Sequence, residues 1–212
     1  MRFPLCLAPA FMAAFVCACS AGLHSSAPAV QTYLLKAVAP GADPAAARAG
    51  KPTASIQISR PQARPGLDTE RIAVIRPDRR GDYYAAAQWA GAVPDVVESL
   101  VIDRLRSAGT WSVVQDSRSA FPADYLLQIR VLSFDAEYAD EKASPRITVA
   151  MDCTLGRRVD REVVAAFSVA ATVAAEENRL RSVVAAFETA ANAALDQLDT
   201  QAAAALRTSQ GR

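Results

Sequence analysis

The sequence predicts an α+β fold in which a mostly antiparallel sheet carries two main helices packed on one face. Two observations predict it. Three strand-like runs follow one another between residues 124 and 173, and short links of this kind favour an antiparallel meander. An amphipathic helical pattern precedes them and a long Ala-rich helical pattern closes the chain. Helices gathered on one face of an antiparallel sheet form a common layered architecture.

The first half of the chain alternates short strands with one helix. Strands are predicted at residues 33–37, 55–59, 71–76 and 82–85, with a Pro- and Gly-containing loop at 38–53. A helix is predicted from Val93 to Ala108. Pro94 suits its first turn, Asp95 suits its positive end, and Gly109 can end it. Residues 111–114 then return to extended chain.

The second half supplies the meander and the closing helix. Strands are predicted at residues 124–134, 146–155 and 162–173, and a helix at about residues 178–206. The middle strand alternates apolar and polar side chains, which places Cys153 in the apolar row. We therefore expect Cys153 to be a core residue rather than a reactive thiol. Trp89, between a strand and a helix, is likewise expected to cover the core, where its indole N–H would need a partner.

The composition excludes several functional classes. The 212 residues include 23 Lys and Arg against 22 Asp and Glu, so no strong field attracts nucleic acid. The single histidine, His24, lies in a small, polar segment where solvation is expected. This scarcity disfavours a Ser-His-Asp hydrolase, a Cys-His enzyme and a His-rich zinc site. We expect neither catalytic residues nor a bound metal or diffusible cofactor.

The N-terminus has the pattern of a secretory signal. A basic start precedes an uncharged apolar run at residues 3–16, which is shorter than the ~20 residues of a membrane span. Val16, Cys17, Ala18 and Cys19 then resemble the lipobox of bacterial lipoproteins. That resemblance implies a signal peptide at residues 1–18, and a diacylglycerol and an N-acyl chain on Cys19. The alternative is an ordinary signal cut near Ala21, which would release an unanchored product.

This reading also fixes the domain boundaries. Residues 19–32 are expected to form a lipidated flexible tether, and residues 33–208 a single α+β domain. Ser20 follows the lipidated cysteine, and the sorting rule of Gram-negative lipoproteins then implies the outer membrane, facing the periplasm. Two or more acyl chains anchor a protein stably to a membrane, whereas a single acyl chain gives only marginal membrane binding. With Cys153 alone in the domain, no intramolecular disulfide is expected.

Three charged clusters could carry chemistry. The first cluster is acidic. It lacks the glycine turn of a calcium-binding loop, so a solvated hairpin loop is favoured over a calcium site. The other two are arginine clusters at turns, where contact with lipid head groups competes with simple solvation. Neighbouring acidic residues favour solvated turns. The clusters are Asp135, Glu137, Asp140 and Glu141; Arg76, Arg79 and Arg80; and Arg157, Arg158 and Arg161.

Taken in order, these features resemble the ABC-type transport auxiliary lipoproteins, a PqiC-like group associated with MCE-type lipid transporters. The resemblance rests on the lipobox, the ordered short motifs, the amphipathic helix and the Ala-rich final helix. The motifs are Tyr33-Leu34-Leu35, residues 71–76, Tyr83-Tyr84, Trp89, and Ala123 to Leu127. The long insert at residues 38–53 and the Ala92-Val93-Pro94 sequence depart from the expected pattern.

The resemblance implies a noncatalytic lipoprotein that assists an MCE-family protein and an ABC permease and ATPase in moving lipids across the envelope. Its membrane contact would be the lipid anchor, and phospholipid and a second copy of the chain stay open as further partners. The alternative is a lipopolysaccharide-assembly or other envelope-biogenesis lipoprotein. A less favoured alternative is an envelope enzyme that uses Asp135 and Glu137.

Overall fold

A computed structural model describes residues 29–39 and 52–211. The predicted signal peptide, most of the tether, and most of the predicted loop at 38–53 lie outside these residues. The described residues form nine strands and two helices, whose bounds are as follows: β1 Gln31–Tyr33, β2 Ser55–Ile58, β3 Gln62–Ala63, β4 Arg71–Ile75, β5 Gly81–Trp89, α1 Val93–Ala108, β6 Val113–Gln115, β7 Tyr125–Glu137, β8 Arg146–Arg157, β9 Val163–Ala174 and α2 Leu180–Gln210.

The longest strand, β7, organises the sheet. One of its edges pairs with β8 along its whole length, and β8 pairs with β9, so β7, β8 and β9 form the predicted antiparallel meander. The other edge of β7 pairs in succession with β2, β3 and β4, each in a short parallel ladder. The long ladders are therefore antiparallel, and the parallel ladders are two or three residues long.

Prolines interrupt the row of strands that follows this second edge of β7. Pro61 and Pro65 have no N–H group, so neither can donate to the ladder. Two hydrogen bonds bridge the gaps: the amide of Ser59 donates to the carbonyl of Leu127 at 3.0 Å, and that of Arg64 donates to Val131 at 3.3 Å. Residues 55–75 thus run beside β7 as one interrupted strand.

The two outer parts of the sheet end differently. On one side β5 pairs antiparallel with β4, and the short β1 pairs parallel with β5. On the other side β9 is paired only with β8 among the described residues. The side-chain amide of Gln197 in α2 donates to the carbonyl of Ala170 and accepts from its amide, at 2.9 and 3.3 Å. Gln197 thereby occupies one position of an otherwise open strand edge.

Both helices pack on one face of the sheet. Alternate residues of β8 point to that face, and a bulge between Val131 and Ser133 shifts the alternation of β7, so that Phe134 and Ala136 face the helices too. Trp89 and Phe187 of α2 meet Phe134 at the centre. The buried row of β8 contains Ile147, Val149, Met151, Cys153 and Leu155.

Several predicted elements are confirmed. Helix α1 has the predicted bounds, the meander strands lie where they were expected, and α2 extends four residues beyond the predicted end at Leu206. Trp89 is fully buried, as predicted, but its Nε1 finds no hydrogen-bond partner in the described part of the chain. The partner that this buried N–H needs is therefore not among the described residues.

Other predictions need correction. The first strand covers Gln31–Tyr33 rather than residues 33–37, and residues 34–37 belong to no strand. Strand β5 is longer than the predicted residues 82–85, because it continues through three alanines of low strand propensity. Ala86 has φ +53° where the β4–β5 register shifts, and this bulge hides the strand from a simple alternation pattern. The two-residue β3 was not predicted.

Candidate functional site

The predicted lipidation site lies outside the described residues. Cys19 and His24 both fall within residues 1–28, which the structure does not describe, so lipidation of Cys19 stays a prediction. Cys153 is confirmed as a core residue, with 1% of its surface exposed. Burial raises the pKa of its thiol to about 12, so the thiol stays protonated and unreactive at neutral pH.

The described chain that follows the predicted tether is held against the helices by side chains. We call residues 34–39 the N-terminal segment. The amide of Lys36 donates to Glu188 Oε2 at 3.2 Å, and the amide of Val38 donates to Asn192 Oδ1 at 2.7 Å. Asn192 Nδ2 donates in turn to the carbonyl of Lys36 at 2.9 Å. Asn192 therefore pairs with the N-terminal segment as a neighbouring strand would.

Arg104 of α1 completes this attachment. Its side chain is only 7% exposed, and its Nη1 donates to the carbonyl of Val38 at 2.8 Å. The same guanidinium pairs with Asp196 of α2 and lies 4.0 Å from Asp199. Burial raises the pKa of Asp199, while the charge of Arg104 opposes that rise. One buried cation thus joins α1, α2 and the N-terminal segment.

Sequence reasoning did not identify this attachment. Lys36 and Asn192 are 156 residues apart, and nothing local marks them as partners. Arg104 did leave a signal, because it lies three residues after Val101 and four after Leu100, within the apolar face of α1. A charged residue at such a position needs a buried partner.

Two of the predicted charged clusters come together at one end of the sheet. Arg76 pairs with Asp82 at 3.0 Å and with Glu141 at 3.3 Å, and Arg79 pairs with Glu137. A backbone hydrogen bond from Tyr83, and then the hydrogen bond from Arg76, lower the pKa of Asp82. The acidic hairpin and the first arginine turn therefore neutralise each other.

Asp135 is separated from this network. It lies in β7 beside Ala73 and Thr148, is 8% exposed, and has its pKa raised by burial. Glu137, the other carboxylate considered for catalysis, is held by Arg79. Within residues 29–39 and 52–211, no three His, Cys, Asp or Glu side chains are placed to hold a metal ion.

A hydrogen-bonded tyrosine chain lies next to the first arginine turn. The hydroxyls of Tyr84 and Tyr138 are 2.7 Å apart, and Tyr138 donates to Asn178 Oδ1 at 2.8 Å. Burial raises the pKa of Tyr84, so its hydroxyl stays neutral. The adjoining cavity measures about 360 Å³ and is lined by Arg71, Val74, Arg76, Asp82, Tyr83, Tyr84, Ala85 and Tyr138.

The second arginine turn joins β8 to β9 and borders a larger cavity of about 460 Å³. Arg157 pairs with Asp160 and Glu162, and Arg158 donates to Gln57 Oε1. The lining residues are Leu126, Gln128, Thr154, Gly156, Arg157, Arg158, Arg161 and Val163. The charged residues in this described lining are all arginines, whereas the lining of the first cavity also includes Asp82.

Neither described helix is both long and apolar enough to cross a bilayer. Solved structures show where else this fold occurs. A Xanthomonas campestris protein assigned to family DUF330 superposes with a TM-score of 0.74 at 23% identity, over 86% of this chain and 100% of that one. A hypothetical protein from Chlamydia trachomatis gives a TM-score of 0.51 at 9% identity, over 71% of this chain and 95% of that one. At these identities the similarity concerns the fold alone.

Similarity of sequence identifies a family in addition to the fold. Among curated proteins, none matches this sequence. The family described as "ABC-type transport auxiliary lipoprotein component" does match, and its match covers residues 33–201, from the end of β1 to the last turns of α2. The chain therefore belongs to the family of ABC-type transport auxiliary lipoprotein components.

Proposed function

We propose that this chain is a noncatalytic, lipid-anchored subunit of an ABC/MCE-type system that moves lipids across the Gram-negative envelope. The observation that carries the proposal is family membership over residues 33–201. The MCE partner, the outer membrane as the anchoring membrane and Cys19 as the anchored residue are parts of the proposal.

The attachment of the N-terminal segment supports an anchored role. A lipid on Cys19 would hold the chain at a membrane, and any pull along the tether would reach β1 first and residues 34–39 directly after it. Arg104, Glu188 and Asn192 spread that pull over both helices. The short strand β1, with its three residue pairs to β5, does not carry it alone.

The state of the titratable side chains supports a noncatalytic role. Glu137 and Glu141 are engaged by arginines, and the Cys153 thiol is buried with a raised pKa. A general acid or base needs a free side chain that reaches the substrate. Asp135 has a raised pKa, but it lies between strands and does not line either described cavity.

The test is recovery of the partner from native membranes. Mild crosslinking followed by purification of the chain should recover an MCE-family protein, together with a permease and an ATPase. The Cys19→Ser variant should lose its acyl chains by mass spectrometry and leave the membrane fraction. Recovery of a large outer-membrane barrel in place of an MCE protein would favour lipopolysaccharide assembly, and an unmodified Cys19 thiol in the wild type would refute the anchor.

A further inference from the structure

The larger cavity lies on the face of the sheet opposite α1 and α2, at the end formed by the β8–β9 turn. Its floor residues Leu126 and Thr154 alternate with the buried Leu127 and Leu155, which face the helices. Among the described residues that line it, the only charged side chains are those of three arginines. The cavity therefore has a positive wall beside a partly apolar floor.

The two arginine turns differ in how their charges are compensated. At the first turn Arg76, Arg79 and Arg80 each pair with a carboxylate. At the second turn, among the described residues, only Arg157 does so. The guanidinium of Arg158 donates to the neutral amide of Gln57, which leaves its charge uncompensated.

Arg161 is the second uncompensated cation at this turn. It makes no hydrogen bond or ion pair within the described part of the chain, and it lines the cavity. Its φ of +60° is unusual for a residue other than glycine. Backbone hydrogen bonds hold the turn around it, including one of 2.8 Å from the amide of Arg157 to the carbonyl of Glu162. The side chain is thus presented by a fixed backbone.

These features define the chemistry of a ligand. Guanidinium groups bind phosphate oxygens with paired, charge-assisted hydrogen bonds. Leu126 and Val163 line the same cavity, and Val163 is 59% exposed. A ligand that fills the cavity would place a phosphate against Arg158 and Arg161 and an apolar portion against these two side chains.

We propose that this cavity binds the phosphate of an amphiphile, such as a phospholipid head group, through Arg158 and Arg161. The sequence left contact with lipid head groups open as an alternative to a solvated turn at both arginine clusters, and the proposal takes up that alternative for the second cluster alone. The proposal is independent of the proposed function, because the cavity belongs to the chain itself and needs no transporter partner.

The test uses the full chain in neutral detergent, with bound ligand counted by native mass spectrometry. Three probes separate the contributions: dioleoyl phosphatidylglycerol, dioleoylglycerol, which lacks the phosphate, and glycerol 3-phosphate, which lacks the acyl chains. Phosphatidylglycerol should bind saturably and at least about ten-fold more tightly than dioleoylglycerol. If glycerol 3-phosphate binds as tightly as the lipid, and depends on the same arginines, the phosphate site stands and its source is a water-soluble phosphate.

Variants connect the binding to the cavity. Arg158→Gln with Arg161→Gln should weaken phosphatidylglycerol binding at least about ten-fold. The matched control, Arg79→Gln with Arg80→Gln, removes the same charge from the other turn and should change binding less than about two-fold. Arg161→Gln alone breaks no hydrogen bond or ion pair within the described residues and should still weaken phosphatidylglycerol binding, while urea unfolding of the variant should match the wild type. Equal binding of dioleoylglycerol, or equal losses in the two double variants, would overturn the proposal.

Discussion

Arg104 of α1 donates a hydrogen bond of 2.8 Å to the carbonyl oxygen of Val38, across 66 residues of sequence. The same side chain pairs with Asp196 of α2, so one guanidinium connects three parts of the chain. Val38 has no regular secondary structure of its own, and this contact helps to order it on the helices. The attachment of the N-terminal segment and the packing of the two helices are therefore energetically linked.

Arg104→Ala should lower the free energy of unfolding by about 3 kcal/mol, because it leaves the carboxylates of Asp196 and Asp199 without their buried partner. Urea unfolding at neutral pH measures the change. Arg104→Met should cost less, since it keeps the apolar stem of the side chain. The exposed neighbour Asp103 supplies the control, and Asp103→Ala should shift stability by no more than about 0.5 kcal/mol. Equal effects at the two positions would show that the ion pair contributes nothing.

The α1 prediction succeeded because its signals are local. A proline in the first turn, a glycine after the last turn, and an apolar stripe between them all lie within one segment. The β8 strand succeeded for the same reason, since its alternation lies within a dozen residues. Local patterns fix the type and the bounds of an element without naming its partners.

The parallel pairings of β2, β3 and β4 with β7 could not be predicted in this way. Ile56 pairs with Tyr125 and Ala73 with Asp135, and alternation within a strand does not identify a partner 60 to 70 residues away. A longer separation, of 154 and 156 residues, hid the contacts of Asn192 with Val38 and Lys36 in the N-terminal segment. For the arginine turns, residue type showed the charge, but only the structure showed which cations have carboxylate partners.

Asn192→Ala should release the N-terminal segment while leaving the helix intact. The change removes hydrogen bonds to both Val38 and Lys36, and each contributes about 1 kcal/mol. Hydrogen exchange should accelerate about ten-fold at the amide of Val38. Thr189→Ala is the matched control, because the Thr189 hydroxyl donates to the carbonyl of Ala185 in its own helix and bonds to no other described residue. Unchanged exchange in Asn192→Ala would mean that other contacts hold this segment.

Acid should weaken the junction between β2 and β7 through Asp124. The hydroxyl and the amide of Ser55 both donate to Asp124 Oδ2 at 2.7 Å, and these bonds lower the pKa of the carboxyl in the folded state. Because the pKa of Asp124 is lower in the folded state, its charged form stabilises the fold at any pH above the pKa of the unfolded state, about 3.9. This stabilisation is lost as the pH falls through the pKa of the folded state.

Comparing the Asp124→Asn variant with the wild type tests this pH dependence of stability. The variant should be less stable than the wild type at pH 7, because it weakens the bonds from Ser55. The loss should be only about 1 kcal/mol, because Asp124 is exposed and solvent screens its interactions. The difference should narrow as the pH falls below about 4, measured by urea unfolding at each pH. A difference that stays constant down to pH 2 would show that the charge of Asp124 makes no contribution.

The aromatic centre of the core should be the most sensitive packing site. Phe187 of α2 is fully buried, with its ring centroid 5.0 Å from that of Trp89 and 5.2 Å from that of Phe134. Phe187→Ala removes both ring contacts and leaves a cavity between the helix and the sheet, so it should cost about 3–5 kcal/mol of unfolding free energy. Phe121 is 77% exposed, and Phe121→Ala should change stability by no more than about 0.5 kcal/mol. Thermal or urea unfolding of the two variants measures the contrast, which would vanish if α2 were not packed on the sheet through Phe187.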